Sequence, residues 1–341
     1  MHNHRKALVI GAAGNIGAPL VAHLRRTGYQ VLEVDIKPGW RRDYLMADIG
    51  HPLDLLPAFD WAPDVVFLLA ASVGRMTCEQ AASLSVATNL AGLNNVLQLC
   101  VRAECTLVYL STSEVYGTAS DVLDDTAGVP QPLNRYGLSK WLGEQLVEYE
   151  VRSGGLRAVT LRPCMIYDEA EALGDHRSAM IRFAYNLAHG LPIEVHVGSA
   201  RGWLHVSDAV RAIEAAGRLD HYATINVGHP EVIPMADLAE MIRAELGADP
   251  SLIQFTRLPS KMTLVKRPTL DRQRELLGFT PTIDIREGVR RVCARQLMRL
   301  GRAAALEPLP VPAKVAAEAL VTHHHDPIDS ATPPQRTPAV I

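Results

Sequence analysis

The chain has 341 residues, 48% of them hydrophobic and 21% charged, with a formal net charge of −3. That is ordinary globular composition, enough for one large domain or two closely joined ones. The near-neutral charge gives no reason to expect nucleic acid or an acidic membrane as a partner.

The apolar run after Met1–Lys6 is too short for a signal core or a membrane span, and no other run reads as long enough. Five scattered cysteines (Cys78, Cys100, Cys105, Cys164, Cys293) form no Cys-x-x-Cys, which indicates a reduced, cytoplasmic setting. No residues are assigned to a metal.

In chain order, Lys6–Ile10 reads as a buried strand, followed by a glycine-rich turn and a helix over Ile16–Arg26. Gly28 ends the helix, and Gln30–Asp35 is a second buried strand, which completes a βαβ unit. Short apolar runs recur at Val65–Ala71, Thr106–Leu110 and Ala158–Leu161, each flanked by helical patterns. Such runs indicate a parallel sheet covered on both faces, an α/β, doubly wound fold of Rossmann type. Beyond Arg162, shorter strands (Ile193–Val197, Thr224–Val227) mix with helices such as Met235–Leu246, as in a smaller mixed α/β substrate lobe.

The expected division is a cofactor domain over 1–162, to which some later segments return, a substrate lobe over 163–300, and a tail over 301–341. The tail is rich in proline and alanine, with one short helix expected at Ala313–Leu320. His323–His325 within it reads as a polar tract.

Gly11-Ala-Ala-Gly14-Asn15-Ile16-Gly17 joins the first strand to the first helix. The first glycine permits the sharp turn, the second lets backbone approach a pyrophosphate, and the third lets the helix pack on the strand. The helix N-terminus then offers free N–H groups to the phosphates. Asp35, at the end of the second strand, can accept both ribose hydroxyls and repels a 2′-phosphate, so NAD is expected over NADP. Lys37, Arg41 and Arg42 lie close enough in sequence to soften that preference. Asp48 and Ile49 are the candidates for contact with the adenine.

Tyr136-Gly-Leu-Ser-Lys140 puts a phenol and an ammonium on one helical face. The lysine charge is expected to lower the phenol's pKa, so that tyrosine can take a proton from a hydroxyl. Ser111-Thr112-Ser113-Glu114 follows the strand Thr106–Leu110 at its C-terminal end, where ligands bind in such sheets. Thr112 or Ser113 is the hydroxyl expected to share the reacting oxygen. Arg75 and Thr77, after the fourth strand, face the expected substrate side. His205 and Cys164 read as packing residues.

These segments together resemble the extended short-chain dehydrogenase/reductase family, the NAD-dependent nucleotide-sugar epimerases, dehydratases and decarboxylases. The likeness is carried by Gly11–Gly17, Leu68–Ala71, Thr88–Gly92, Ser111–Gly117, Tyr136–Lys140, Arg162-Pro163, Arg201–Asp208 and Glu275–Phe279. It spans Lys6 to Val292. The resemblance implies cofactor contacts at Gly11, Gly14, Asn15, Ile16, Gly17, Leu69, Ala70, Ala71, Asn89 and Arg162, as well as at Tyr136 and Lys140. Tyr136 would be the base, Lys140 would hold it and the nicotinamide ribose, and Thr112 would polarise the reacting hydroxyl. Arg201 would reach a substrate diphosphate, as would Lys266 or Arg267; Arg177 is counted with the substrate contacts. A homodimer is implied, joined through the helices that carry Asn89 and Tyr136.

The triplet Thr112-Ser113-Glu114 resembles UDP-glucuronate decarboxylases and sugar-nucleotide dehydratases more than simple 4-epimerases. Both reactions pass through a 4-keto sugar. Glu114 would remove the carbon-5 proton in a dehydratase or help to position the sugar in a decarboxylase. An epimerase, an oxidoreductase acting on a non-sugar alcohol or ketone, and a non-catalytic NAD sensor are the alternatives. The intact Tyr136–Lys140 pair argues against the last. Two departures bear on the substrate. Met165 replaces the usual diphosphate-binding Asn, and Tyr167-Asp168-Glu169 replaces Tyr-Gly-Pro ahead of an acidic stretch running to Arg177.

Overall fold

The computed structural model describes residues 5–117, 121–127, 130–171, 178–259 and 262–306. It contains strands β1 (Lys6–Ile10), β2 (Gln30–Asp35), β3 (Tyr44–Met46), β4 (Val65–Leu68), β5 (Thr106–Leu110), β6 (Val122–Leu123), β7 (Arg157–Pro163), β8 (Ile166–Tyr167), β9 (Ile193–His196), β10 (Ala200–Gly202), β11 (Leu204–His205), β12 (Ala223–Val227), β13 (Val232–Pro234), β14 (Ile253–Thr256) and β15 (Val265–Pro268). The helices are α1 (Gly17–Arg26), α2 (Pro52–Asp60), α3 (Arg75–Gln80), α4 (Ala82–Val86), α5 (Leu93–Ala103), α6 (Arg135–Gly154), α7 (Ala179–Ala188), α8 (Val206–Ala216), α9 (Met235–Leu246), α10 (Asp271–Leu277) and α11 (Ile285–Leu306).

Seven strands form a parallel sheet in the order β12-β7-β5-β4-β1-β2-β3. This is the Rossmann-type doubly wound arrangement read from the sequence. Its two faces follow from the two-residue period of a strand. Ala7 and Val9 of β1 pack with Leu20, Val21 and Leu24 of α1 and with α8. Leu8 and Ile10 point the other way, onto Leu55 and Ala58 of α2 and Val96, Leu97 and Cys100 of α5. With both faces covered, an apolar residue suits every position, so the strands read as unbroken hydrophobic runs.

β12, from beyond Arg162, is the sheet's last strand, and α8 lies against α1. β6 goes the other way, into a four-stranded sheet of order β13-β10-β15-β6. Beside it, α7, α9 and α11 enclose a third core around Trp203, Ile181, Leu238 and Val292.

The helical run Ala82–Ala103 has a mean hydropathy of 1.2 and, among the described residues, is the one helix long and apolar enough to cross a membrane. The sequence reading had found no such run. Leu93, Val96, Leu97 and Cys100 of this run are buried under the sheet, which accounts for its apolar character. By packing, the chain divides into Met1–Met298 and Arg299–Ile341. Of the second unit, only the helical backbone to Leu306 is described; Ala313–Leu320 and His323–His325 lie outside the described residues.

Candidate active site

The sheet reverses strand order at β1, with β2 on one side and β4 on the other, and the crevice beyond such a reversal is where ligands bind in this architecture. A cavity of about 920 Å³ opens there, within the usual range for ligand sites. It is lined by Gly11, Gly14, Asn15, Ile16, Gly17, Asp35, Asp48, Ile49, Leu69, Ala70 and Ala71, and farther along by Arg75, Thr112, Ser113, Glu114, Tyr136, Lys140, Arg201 and Lys266.

The glycine loop is built for close approach. Gly11 has φ +94°, and a Cβ there would lie 2.6 Å from the Ala70 nitrogen. A Cβ on Gly17 would overlap the Gly11 carbonyl, so α1 seats on the loop only with glycine at that point. The Asp35 carboxylate accepts from the Ala13 N–H at 2.8 Å and from the Lys37 N–H at 3.0 Å, which fixes it beside the loop. Arg41 is committed to Glu33, at 2.7 and 2.8 Å to the two carboxylate oxygens. It is therefore held from a 2′-phosphate. A glycine cradle closed by a fixed carboxylate fits the dinucleotide NAD.

Lys140, at 3% exposure, donates to the Leu110 carbonyl at 2.7 Å and lies over the Tyr109 ring, 4.8 Å from its centre. Burial lowers its pKa to about 8, with Glu144 opposing. The Tyr136 phenol is held above its ordinary value, chiefly by burial and further by the Glu114 charge, while a hydrogen bond with Thr112 works the other way. The expectation that Lys140 lowers this pKa is corrected here. The ammonium is turned to the Leu110 carbonyl, and desolvation of the phenol dominates.

Thr112 also caps the turn Ser113–Tyr116, its Oγ1 accepting from the Glu114 N–H at 3.2 Å. Thr112 is the hydroxyl beside Tyr136, whereas Ser113 lies beside the buried Cys164 thiol, which donates to the Arg162 carbonyl at 3.9 Å and which burial pushes up to about 11.

Glu114 is ion-paired with Lys266. Burial would raise its pKa, but Lys266, Asn134 and Arg75 together bring it down to about 2. One carboxylate oxygen accepts from Lys266 Nζ and the other from Asn134 Nδ2 at 2.9 Å. Asn134 is simultaneously the N-cap of α6, its Oδ1 accepting from the Gly137 N–H at 2.9 Å. One amide therefore links Glu114 to the helix that carries Tyr136 and Lys140. The sequence reading missed Asn134, although an Asn just ahead of a helical pattern is a recognised N-cap signal.

Three of the predicted contacts, all among the described residues, do not join the cavity. Arg267 is exposed because neighbours on β15 point to opposite sides, and Lys266 takes the inward position. Asn89 stands one layer back, bonding Ser72 main chain at 2.8 and 3.0 Å and Ser139 Oγ at 2.9 Å. Arg162 is likewise behind the site, paired with Glu144 at 2.6 and 2.9 Å and donating to the Tyr116 hydroxyl at 3.0 Å. Arg177 lies outside the described residues.

Arg201 does line the cavity, but its guanidinium donates to the carbonyls of Ala200, Leu264 and Thr263 at 2.6–2.7 Å. Burial brings its pKa down to about 10. Met165 adopts φ +45°, a left-handed conformation that Asn tolerates far better than Met. The backbone keeps the shape an Asn would suit, while the side chain presents a thioether to the cavity. His205 is buried against Glu169 at 2.7 Å and edge-on to Tyr167, a packing position.

Comparisons with known proteins agree with this geometry. Residues 7–228 match the NAD dependent epimerase/dehydratase family. UDP-glucuronic acid decarboxylase 1 of Arabidopsis thaliana is 25% identical over 300 residues, covering 84% of this chain and 68% of the relative. A UDP-N-acetyl-alpha-D-glucosaminuronate decarboxylase of Bacillus cytotoxicus is 25% identical over 314 residues, covering 84% of this chain and 96% of its own. Among solved structures, MoeE5 in complex with UDP-glucuronic acid and NAD superposes with a TM-score of 0.76 at 25% identity, over 86% of this chain and 99% of that one. The fold is also that of a UDP-glucose 4-epimerase from Thermotoga maritima, with a TM-score of 0.78 at 22% identity over 86% and 99% of the two chains. The chain belongs to the NAD-dependent epimerase/dehydratase family.

Proposed function

We propose that this protein is an NAD-dependent enzyme acting on nucleotide sugars, and that its reaction is decarboxylation of a UDP-hexuronate through a 4-keto sugar. The observation that carries the choice is Glu114, held ionised by Lys266 within reach of Tyr136. In a dehydratase Glu114 would have to take the carbon-5 proton, and its ion pair with Lys266 and the bond from Asn134 stabilise the anion and so weaken it as a base. In a decarboxylase, the same anion needs only to accept hydrogen bonds from the sugar.

Gly11, Gly14 and Gly17 would hold the pyrophosphate, Asp35 the adenosine ribose, and Lys140 the nicotinamide ribose. Bound there, NAD supplies a hydride acceptor and a positive charge. The positive charge of bound NAD would oppose the desolvation of Tyr136 and favour its tyrosinate, whose Oη would take the proton of the carbon-4 hydroxyl beside Thr112. The resulting ketone accepts the electron pair released when the bond from carbon 5 to the carboxylate breaks. Lys266 would stabilise the enolate and give carbon 5 a proton that it regains from solvent, so that one proton is consumed for each CO₂ released. Tyr136 then gives its proton back to the carbon-4 oxygen as the ketone is reduced, so no net reductant forms.

Met165 and the committed guanidinium of Arg201 favour a second reading, net oxidation of a non-sugar alcohol. A substrate panel separates the two. With NAD present, UDP-glucuronate should lose CO₂ by mass and NMR, while UDP-glucose, UDP-N-acetylglucosamine and GDP-mannose stay unconverted. No turnover of any nucleotide sugar, with net NADH formed from another alcohol, would refute the leading reading.

A further inference from the structure

We propose that Arg75 is the specificity-determining residue that takes the carboxylate of a uronate, so that the site selects an acidic sugar over a neutral one. The inference deepens the reading given above, which requires such a substrate, and it rests on how the cavity's cations are already engaged.

Among the described residues, four cationic side chains line the substrate part of the cavity: Arg75, Arg182, Arg201 and Lys266. Lys266 is paired with Glu114. Arg201 spends its guanidinium on the carbonyls of Ala200, Leu264 and Thr263. Arg182 is exposed and lies on α7, outside the seven-stranded sheet and its helices. Arg75 has no hydrogen-bond or ion-pair partner among the described residues.

Arg75 is also fixed at the reacting end. It is the first residue of α3, just past β4. The loop before it is tied to α6 through Asn89, which accepts from the Ser72 N–H and donates to Ser139 Oγ. The far end of α3 is tied to α6 as well, where Arg135 N and Nε both donate to Glu79 at 3.2 Å. The guanidinium therefore starts from a segment fastened at both ends to the helix that carries Tyr136.

The pairing of the cations then points to the ligand. Glu114 is taken up by Lys266. A neutral sugar leaves Arg75 without a carboxylate bonded to it in a half-buried position, whereas a uronate supplies one. Without Arg75, a second carboxylate beside ionised Glu114 would meet like charge. A guanidinium also offers paired donors that match a carboxylate.

The test is calorimetric binding to the full-length, NAD-loaded protein, with UDP-glucuronate and UDP-glucose as probes. Both carry the diphosphate, and only one carries the carboxylate. Arg75→Gln should weaken UDP-glucuronate about 30-fold, as expected for losing a hydrogen-bonded charge pair, and change UDP-glucose by less than about threefold. Arg75→Lys should recover about a third or more of the lost binding energy.

Equal weakening of both ligands would assign Arg75 to the diphosphate and overturn the proposal, as would no change in either. Preference for UDP-glucuronate that vanishes in Arg75→Gln, without CO₂ release by the wild type, sinks the proposed reaction and keeps the Arg75 assignment. CO₂ release with equal affinity for the two sugars does the reverse. A wild type that binds neither nucleotide sugar overturns both.

Discussion

Replacing Lys266 by Met isolates the electrostatics on which the site depends. Lys266 is 5% exposed at its side chain and Glu114 27%. Glu114 titrates near 2 in the fold, against 4.5 for the free group. At about 1.4 kcal/mol per pH unit, that difference stabilises the native state by about 3 kcal/mol, less a share for the water reaching the cavity side. Because the folded pKa is depressed, this stability is fully present above 4.5 and is lost as pH falls from 4.5 towards 2.

In Lys266→Met, the carboxylate stays buried without its main counter-charge. Its pKa should rise above 4.5, and the sign of the contribution reverses. The variant should then lose stability as pH climbs from about 5 to 7, where Glu114 contributes no slope to the wild type. Urea denaturation at pH 5, 6, 7 and 8 (about four pH values spanning the window) measures this. The expected destabilisation at pH 7 is about 2–3 kcal/mol, and Glu114→Gln combined with Lys266→Met should recover at least about 1 kcal/mol, since removing both partners leaves no buried charge. A single variant within about 0.5 kcal/mol of wild type, or a double variant no more stable than the single, would refute this account.

Lys140→Met should abolish turnover yet raise stability by about 1–2 kcal/mol at pH 7. Burial lowers this lysine to about 8, so its charged form is disfavoured in the fold below that pH, and the cost is relieved as pH rises from 8 towards 10.5; thermal melts across that range check the sign. Gly17→Ala should cost at least about 3 kcal/mol or prevent folding, because the Cβ meets the Gly11 carbonyl, and NAD affinity should fall with it. Asn134→Ser keeps an N-cap but loses the bond to Glu114, so melting should change by less than about 1 kcal/mol while kcat falls at least about tenfold. A parallel loss of stability would make Asn134 a cap alone. We expect a homodimer whose interface includes the exposed α6 residues Leu138, Leu142 and Tyr149; Leu142→Glu should then shift the protein to monomer in light scattering.

The sheet was legible because its strands obey one simple rule. A strand buried on both faces shows as a largely apolar run, and Lys6–Ile10 and Thr106–Leu110 read as the structure has them, as does Gln30–Asp35, whose buried Glu33 is paired with Arg25 and Arg41. The glycine loop was legible because a missing Cβ is a property of the residue itself. What stayed hidden depends on neighbours distant in sequence. Lys266 and Arg267 are interchangeable by composition, and only the register of β15 decides which points inward. The pKa of Tyr136 could not be read from the Tyr-x-x-x-Lys spacing, because desolvation acts from the whole pocket and Lys140 is drawn to a carbonyl of β5. Arg201 stood in the expected motif, but its engagement with Thr263 and Leu264 comes from a loop about sixty residues later. Asn89 and Arg162 matched family positions while serving a layer behind the cavity.

The central claim is that hydride leaves and returns to the same sugar within one turnover. A UDP-glucuronate carrying deuterium at carbon 4, incubated with the NAD-loaded protein, tests it directly. The account predicts a decarboxylated UDP-pentose that keeps its carbon-4 deuterium, with no NADH accumulating. Loss of the deuterium together with stoichiometric NADH would contradict it.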